Sequence, residues 1–337
     1  MLAKHPWLPE ARDVVRAFSL EELDEAVYKR ACERVLEAAE RGIVSARLED
    51  PLTEVLSYPT AVAIAACLAD RWLINRLAVA EGRRAEKLLM VDEPEVLEFA
   101  AGKVLRTIQY IGDEHDPLRG YGDYKMRFDE YLRITTGVGL EREPRWKLSN
   151  RVAYRGYVAL TPAEVARMVR AYVQAAVRNV ASSAARGRLP DRVRSIAEGL
   201  RPRIGEIVSG LRRELAEIPA DMPPCMKLIQ QRIIAGEDVS HFENFAIAAY
   251  LLNAGRPVED VLRLFSHRSD FNERIARYQV EHIAGLRGSR TRYRPPSCGK
   301  MRTVGACVED GRHCPRNIRN PLDYRPPRRV DNPSYIA

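Results

Sequence analysis

The sequence has no uninterrupted apolar run long enough to read as a membrane span. The best, AVAIAACLADRWLI, is broken by Asp70 and Arg71. Its start, MLAKHPWLPEARD, lacks the basic, apolar and small-residue zones of a signal peptide, so the chain is expected in the cytosol. There is no Walker A phosphate loop, and no glycine-rich nucleotide fingerprint follows an expected strand. Paired C-x2-C knuckles, the usual framework of structural zinc, are missing. Carboxylates placed for two-metal nucleotidyl transfer are missing as well. The acids of GDEHDPLRGYGDYKMRFDEYL, chiefly Asp113, Glu114 and Asp116, fall in an expected loop with no strand beneath them. A self-contained nucleotide-driven enzyme is therefore excluded.

What is present suits a soluble globular protein: 337 residues, 46% hydrophobic and 30% charged, enough chain for two domains each with its own core. The net charge of +8 favours an anionic partner. Its distribution is uneven, with twelve basic residues against three acidic ones between 285 and 330. Most of these are arginine, whose planar fork suits bidentate phosphate contact, although biased usage alone gives the same composition.

The expected fold class is mostly α: a helical N-terminal domain, 1–210, interrupted by a small β element, and a helical C-terminal domain, 211–337. In SLEELDEAVYKRACERVLEAAERG, Ser19 and Glu22 have capping-box spacing and Gly42 closes the helix. The next apolar stretch, 50–89, reads as one or two buried helices, with Pro59 setting a boundary and Gly82 near an end. Cys32 and Cys67 lie on these helices as buried free thiols. RWKLSNRVAYRGYVAL alternates like short strands, and Thr161, Pro162 and Glu164 then start a helix. Trp146, Tyr154 and Tyr157 are local core or a partner surface. Residues 181–222 mix Gly, Pro and Arg with weak helical pieces and hold the domain boundary, their arginines being a solvated face or a secondary phosphate track. After Pro223-Pro224-Cys225 come three helical patterns, HFENFAIAAYLLNAG, PVEDVLRLFSH and NERIARYQVEHIAG.

Beyond Gly285 the Arg- and Pro-rich tail has too little apolar periodicity to order itself. It carries Cys298, Cys307 and Cys314 in a C-x8-C-x6-C pattern, and the nearest other cysteine is Cys225. In a reducing compartment such thiols read as metal ligands rather than disulfides. Four thiolates suit zinc or an iron–sulfur cluster, the wide, unequal gaps leaning to the bulkier cluster. Either would tie the tail to the helix beginning near Cys225.

The segments PPCMKLI, HFENFAIAAYLL, RYQVEHIAG, YRPPSCGKM, GACVEDGRHCP and NPLDY, spanning 223–324, resemble the archaeal DNA primase large subunit in family order. YPTAVAIAACLADRWLINRLAVAEGRR and RWKLSNRVAYRGYVAL resemble its N-terminal domain more loosely. The resemblance implies a regulatory subunit, itself non-catalytic. It would bind a catalytic small subunit through the N-terminal domain, with Tyr154 and Tyr157 as candidate contacts. The C-terminal domain would hold a 4Fe-4S cluster on Cys225, Cys298, Cys307 and Cys314, and contact single-stranded DNA template and the 5′ end of the primer. Lys227 and His241 fall where the wider family contacts 5′ phosphates, while Asn244 departs from the arginine of its eukaryotic members. Ile275, Tyr278 and His282 share a helix face in a region that touches nucleic acid in the family, and Arg292, Arg302 and Arg312 are candidate phosphate contacts. Two rivals stay open: a zinc-stapled nucleic-acid-binding module without a polymerase partner, and an iron–sulfur DNA repair enzyme.

Overall fold

The computed structural model describes residues 1–48, 50–137, 140, 144–187, 189–216, 222–234, 237, 239–268, 271, 273–308, 314 and 317–326, with backbone alone at 211, 212 and 214–216. The chain is mostly helical. It divides into two compact units, one holding Met1–Leu211 and the other Arg212–Ile234 with Val239–Ala337.

The first unit contains α1 (Pro9–Arg16), α2 (Glu25–Arg41), α3 (Pro51–Leu68), α4 (Arg71–Val91) and α5 (Pro94–Val104). A small sheet follows, β1 (Gln109–Tyr110), β2 (Tyr124–Arg127), β3 (Ala153–Tyr154) and β4 (Tyr157–Leu160), with α6 (Phe128–Gly137) inserted after β2. Then come α7 (Pro162–Ala184) and α8 (Asp191–Ala216). All neighbouring strands are antiparallel, in the order β1-β2-β4-β3.

Several sequence expectations are corrected here. The helix expected from Ser19 starts at Glu25 behind Asp24, and Ser19 closes a turn by accepting from the Glu21 N–H at 3.3 Å. Gly42 does end it, at φ 68°. Pro59 marks no boundary and lies inside α3, where the Ser57 and Thr60 hydroxyls donate to carbonyls of the preceding turn at 3.2 and 2.8 Å. Packing around this buried helix outweighs the lost backbone bond. By length and composition α3 is the one helix among the described residues able to cross a membrane, and 67% of that window is buried within the fold. Gly82 sits in mid-α4, because a Cβ there would lie 2.7 Å from Gln174 Cγ and 3.0 Å from the Arg170 carbonyl. The weak helical pieces expected over 181–222 include one continuous helix, α8, with Pro202 inside it. Its arginines form a solvated face: Arg201 bonds Glu198 at 2.8 Å and Arg203 bonds Glu40 at 3.0 Å. The acidic loop does have strands on either side. Two of its acids are engaged locally, Asp116 with Lys125 at 2.6 Å and Asp113 with the His115 N–H at 2.9 Å.

Invisible to the hydropathy pattern is an ion network that pins α2, α3 and α4 together. Arg34, fully buried, donates to Ser57 Oγ at 3.0 Å, Glu81 at 2.7 Å and Glu54 at 2.5 Å. Arg30 and Arg84 reach the same Glu54 at 2.6 and 3.0 Å. Burial, then the positive charge of Arg34, pulls the pKa of Arg84 down to about 10, so it stays charged at neutral pH.

The β element divides the three aromatics. Trp146 is buried core, and Tyr131 donates to its carbonyl at 2.8 Å. The β3–β4 hairpin turns through Arg155 and Gly156, both at positive φ, 46° and 84°, as a tight two-residue hairpin requires. Tyr154 and Tyr157 stand opposite each other across it, the first exposed and the second half-buried. Thr161 and Glu164 complete the capping box of α7 as the sequence indicates.

The second unit contains α9 (Pro224–Ile234), α10 (His241–Asn253), α11 (Val258–Ser266), α12 (Glu273–Ile283) and the short α13 (Cys298–Thr303). Its core joins Met226, Ile229 and Ile233 of α9 to Ile247 and Leu251 of α10, Val261 and Phe265 of α11, and Met301 of α13. The tail beyond Gly285 is thus held to the rest of the unit by an apolar contact through Met301.

Candidate metal centre and nucleic-acid face

Cys225 is the second residue of α9, buried behind the Pro223-Pro224 pair that starts the helix. Cys298 opens α13, capped by Ser297, whose hydroxyl accepts from the Lys300 N–H at 3.3 Å. That helix ends in a Schellman turn. Gly305, at φ 72°, donates to Arg302 O at 3.0 Å and Ala306 to Met301 O at 2.9 Å, which reverses the chain and delivers Cys307. The two arms of the tail are clamped by the Cys298 N–H on Arg319 O at 2.9 Å and by Asn320 Nδ2 on Pro295 O at 3.0 Å.

All four cysteines line one cavity of about 20 Å³, with Arg302 the one charged side chain on its described walls and Met301, Val308, Ile318, Pro321 and Tyr324 among the rest. Burial, then the charge of Cys307, pushes the Cys225 thiol up to about 12. Burial, then the charge of Cys314, raises Cys298, with Arg302 pulling the other way. Four thiolates in so apolar a space need a cation among them. Among the described residues, no three His, Cys, Asp or Glu side chains are gathered closely enough to hold a single metal ion. The structure therefore shows convergence of thiols on a cavity, not a closed ligand cage. As donor chemistry the set fits a thiolate-bound group, because no nitrogen or carboxylate ligand competes on the described walls.

The other candidates are placed apart from that cavity, except Arg302. Lys227 is exposed on α9, and His241 is exposed as the first residue of α10. α10 is fixed by a capping box in which the Glu243 N–H bonds Ser240 Oγ at 3.1 Å and Glu243 accepts from the Ser240 N–H at 2.8 Å. Asn244 is buried, with Oδ1 unpaired among the described residues. Tyr278 and His282 do come together: their rings stack at 6.4 Å and 27°. His282 stacks in turn on Tyr293 at 5.4 Å, and Tyr293 meets Phe245 edge-on at 6.0 Å. Tyr278, the outer member, is 55% exposed. Tyr293 and Phe245 escaped the sequence reading because they come from a loop and another helix. Arg292 is engaged by the fold, donating to the Leu252 carbonyl near the end of α10. Arg312 lies outside the described residues.

Residues 216–326 match the family described as the C-terminal domain of the large subunit in eukaryotic and archaeal DNA primase. A helical unit with a four-cysteine cavity, preceded by a helical unit carrying a small sheet, thus defines the class of protein, that of primase large subunits. Proteins called DNA primase large subunit PriL from Methanococcoides burtonii and Methanosarcina acetivorans are 31% and 32% identical to it, each over 96% of this chain, and the alignments cover 90% and 86% of those relatives. The one from Archaeoglobus fulgidus is 31% identical over 86% of this chain and 70% of its own length. The chain belongs to the archaeal DNA primase large subunit family, PriL.

Proposed function

We propose that this chain is the non-catalytic subunit of a two-subunit DNA primase. It would bind the catalytic small subunit through its first unit and hold template and initiating nucleotide with its second. The observation that carries the reading is the gathering of Cys225, Cys298, Cys307 and Cys314 on one cavity within the family-matched unit. These four residues would hold a 4Fe-4S cluster, which in this place supplies a structural cross-link between α9 and the tail.

Around it, this chain's own residues bind and orient. Lys227 and His241, exposed on neighbouring stretches of α9 and α10, would meet the 5′ phosphates of the primer, with Arg302 at the cavity wall. Tyr278, backed by His282, would stack on a base. Exposed Tyr154 and half-buried Tyr157 on the hairpin would contact the small subunit, aromatics being enriched at interfaces. Holding the first nucleotide beside the partner's active site lowers the entropic cost of the first bond. Metal-bound carboxylates for that bond would come from the partner.

The test is dinucleotide synthesis by the reconstituted complex, with this chain bearing Lys227→Ala, His241→Ala and Tyr278→Ala together. Initiation is expected to fall at least about tenfold, while extension of a preformed primer by the small subunit persists. Unchanged initiation would sink the reading.

A further inference from the structure

Between α1, α3 and α7 lies a groove of about 250 Å³ that the proposed function does not use. Its walls are apolar, with Val62 inside and Val180 half-exposed at the edge, and Tyr58 and Trp7 add aromatic surface. One polar feature interrupts them.

That feature is charge. Both charged residues on the lining are arginines, Arg12 and Arg16, and no acid lines the groove. Arg16 shares Asp13 at 3.4 Å on open surface, a pair of little hold, and Arg12 has no ion pair among the described residues. The buried arginines Arg30, Arg34 and Arg84 of this unit, by contrast, are committed to carboxylates. An apolar cleft between helices with a cationic rim has the features of a helix-in-groove site for an acidic ligand.

We propose that this groove binds an acidic amphipathic helical segment of a partner protein. A large apolar side chain fills the cleft and a carboxylate faces Arg12. The site is independent of the second unit and of the hairpin tyrosines.

The experiment uses the full chain and three panels of fluorescein-labelled helical peptides, read by anisotropy. One panel carries Leu and Phe on one face and Glu on the other, the second replaces Glu by Lys, and the third replaces Leu and Phe by Ser. The acidic amphipathic panel is expected to bind in the micromolar range and the other two at least about tenfold more weakly. Arg12→Glu with Arg16→Glu should move the preference to the Lys panel, which a merely structural effect would not do. Val180→Trp, filling the mouth, should abolish binding while helicity by circular dichroism is kept. The proposal is overturned if no panel binds, or if acidic and basic panels bind alike. It is equally overturned if the double Arg variant still prefers Glu, or if sedimentation shows a second copy of this chain occupying the groove and released by Val180→Trp.

Discussion

Removing the Tyr278 ring isolates the nucleic-acid face from the rest of the fold. The ring is 55% exposed, stacks on His282, and His282 is itself supported by Tyr293. A base stacked on such a platform is worth about 1–3 kcal/mol by alanine substitution. Arg287 stands 5.9 Å from the same ring and is tied to Glu281, so an incoming base must displace or share that guanidinium. The competition places the expectation in the lower half of that range, near 1.4 kcal/mol, or about tenfold in affinity. The assay is fluorescence anisotropy of the isolated chain with a labelled primer–template bearing a 5′ triphosphate, repeated over a range of salt. Tyr278→Ala should weaken binding about tenfold with an unchanged salt slope, since no charge is removed, and Tyr278→Phe should retain most of the affinity. Lys227→Ala, by contrast, should lower the salt slope by about one. Unchanged affinity in Tyr278→Ala, or equal losses in the Phe and Ala variants, would refute the stacking argument.

Three further outcomes are expected. Arg34→Leu strips the partner from Glu81 and one of three guanidinium groups from Glu54, leaving buried carboxylates undercompensated. A loss of about 3–5 kcal/mol should appear as a lower denaturation midpoint of the first unit, and a loss below about 1 kcal/mol would mean the network is solvated. His5 is fully buried with Nε2 2.8 Å from Asp92, and burial lowers its pKa against the upward pull of that carboxylate. Its unfolded form takes up protons first, so the linked stability is complete above about pH 6.5 and is lost as pH falls through that value towards the folded pKa. His5→Leu should flatten the thermal midpoint between about pH 7 and about pH 5, and an unaltered slope would assign it elsewhere. Tyr154→Ala should weaken capture of the small subunit at least about tenfold with little change in melting, because an exposed aromatic acts as an interface anchor. Full retention of binding would move the interface off the hairpin.

The amphipathic helices of the second unit were legible because their apolar residues recur at helical spacing: Val261, Leu262 and Phe265 are buried together and Val258 packs beside them. The convergence of the four cysteines on one cavity was legible for a different reason, since three of them fall in a basic tail poor in apolar residues and the fourth opens the helical part before it. Pro59 and Gly82 misled for one reason. Both are read as breakers when only local backbone cost is considered, whereas close packing with neighbouring helices decides their conformation. The Glu54 network and the Tyr293–Phe245 end of the aromatic stack could not be read at all, because each joins residues distant in sequence whose pairing depends on how helices pack, whereas Tyr278 and His282 lie four apart on one helix. Arg292 shows the limit of charge as a guide, being taken up by a backbone carbonyl.

The central claim is that the four cysteines hold an iron–sulfur group, and elemental analysis meets it most directly. The chain is purified without oxygen, its visible absorbance recorded, and iron, sulfide and zinc measured beside Cys298→Ser. A brown protein with about four irons and about four sulfides per chain, losing colour and C-terminal protease resistance in the variant, is the result expected. About one zinc per chain without sulfide, or no metal with the tail equally protected in both proteins, would contradict it.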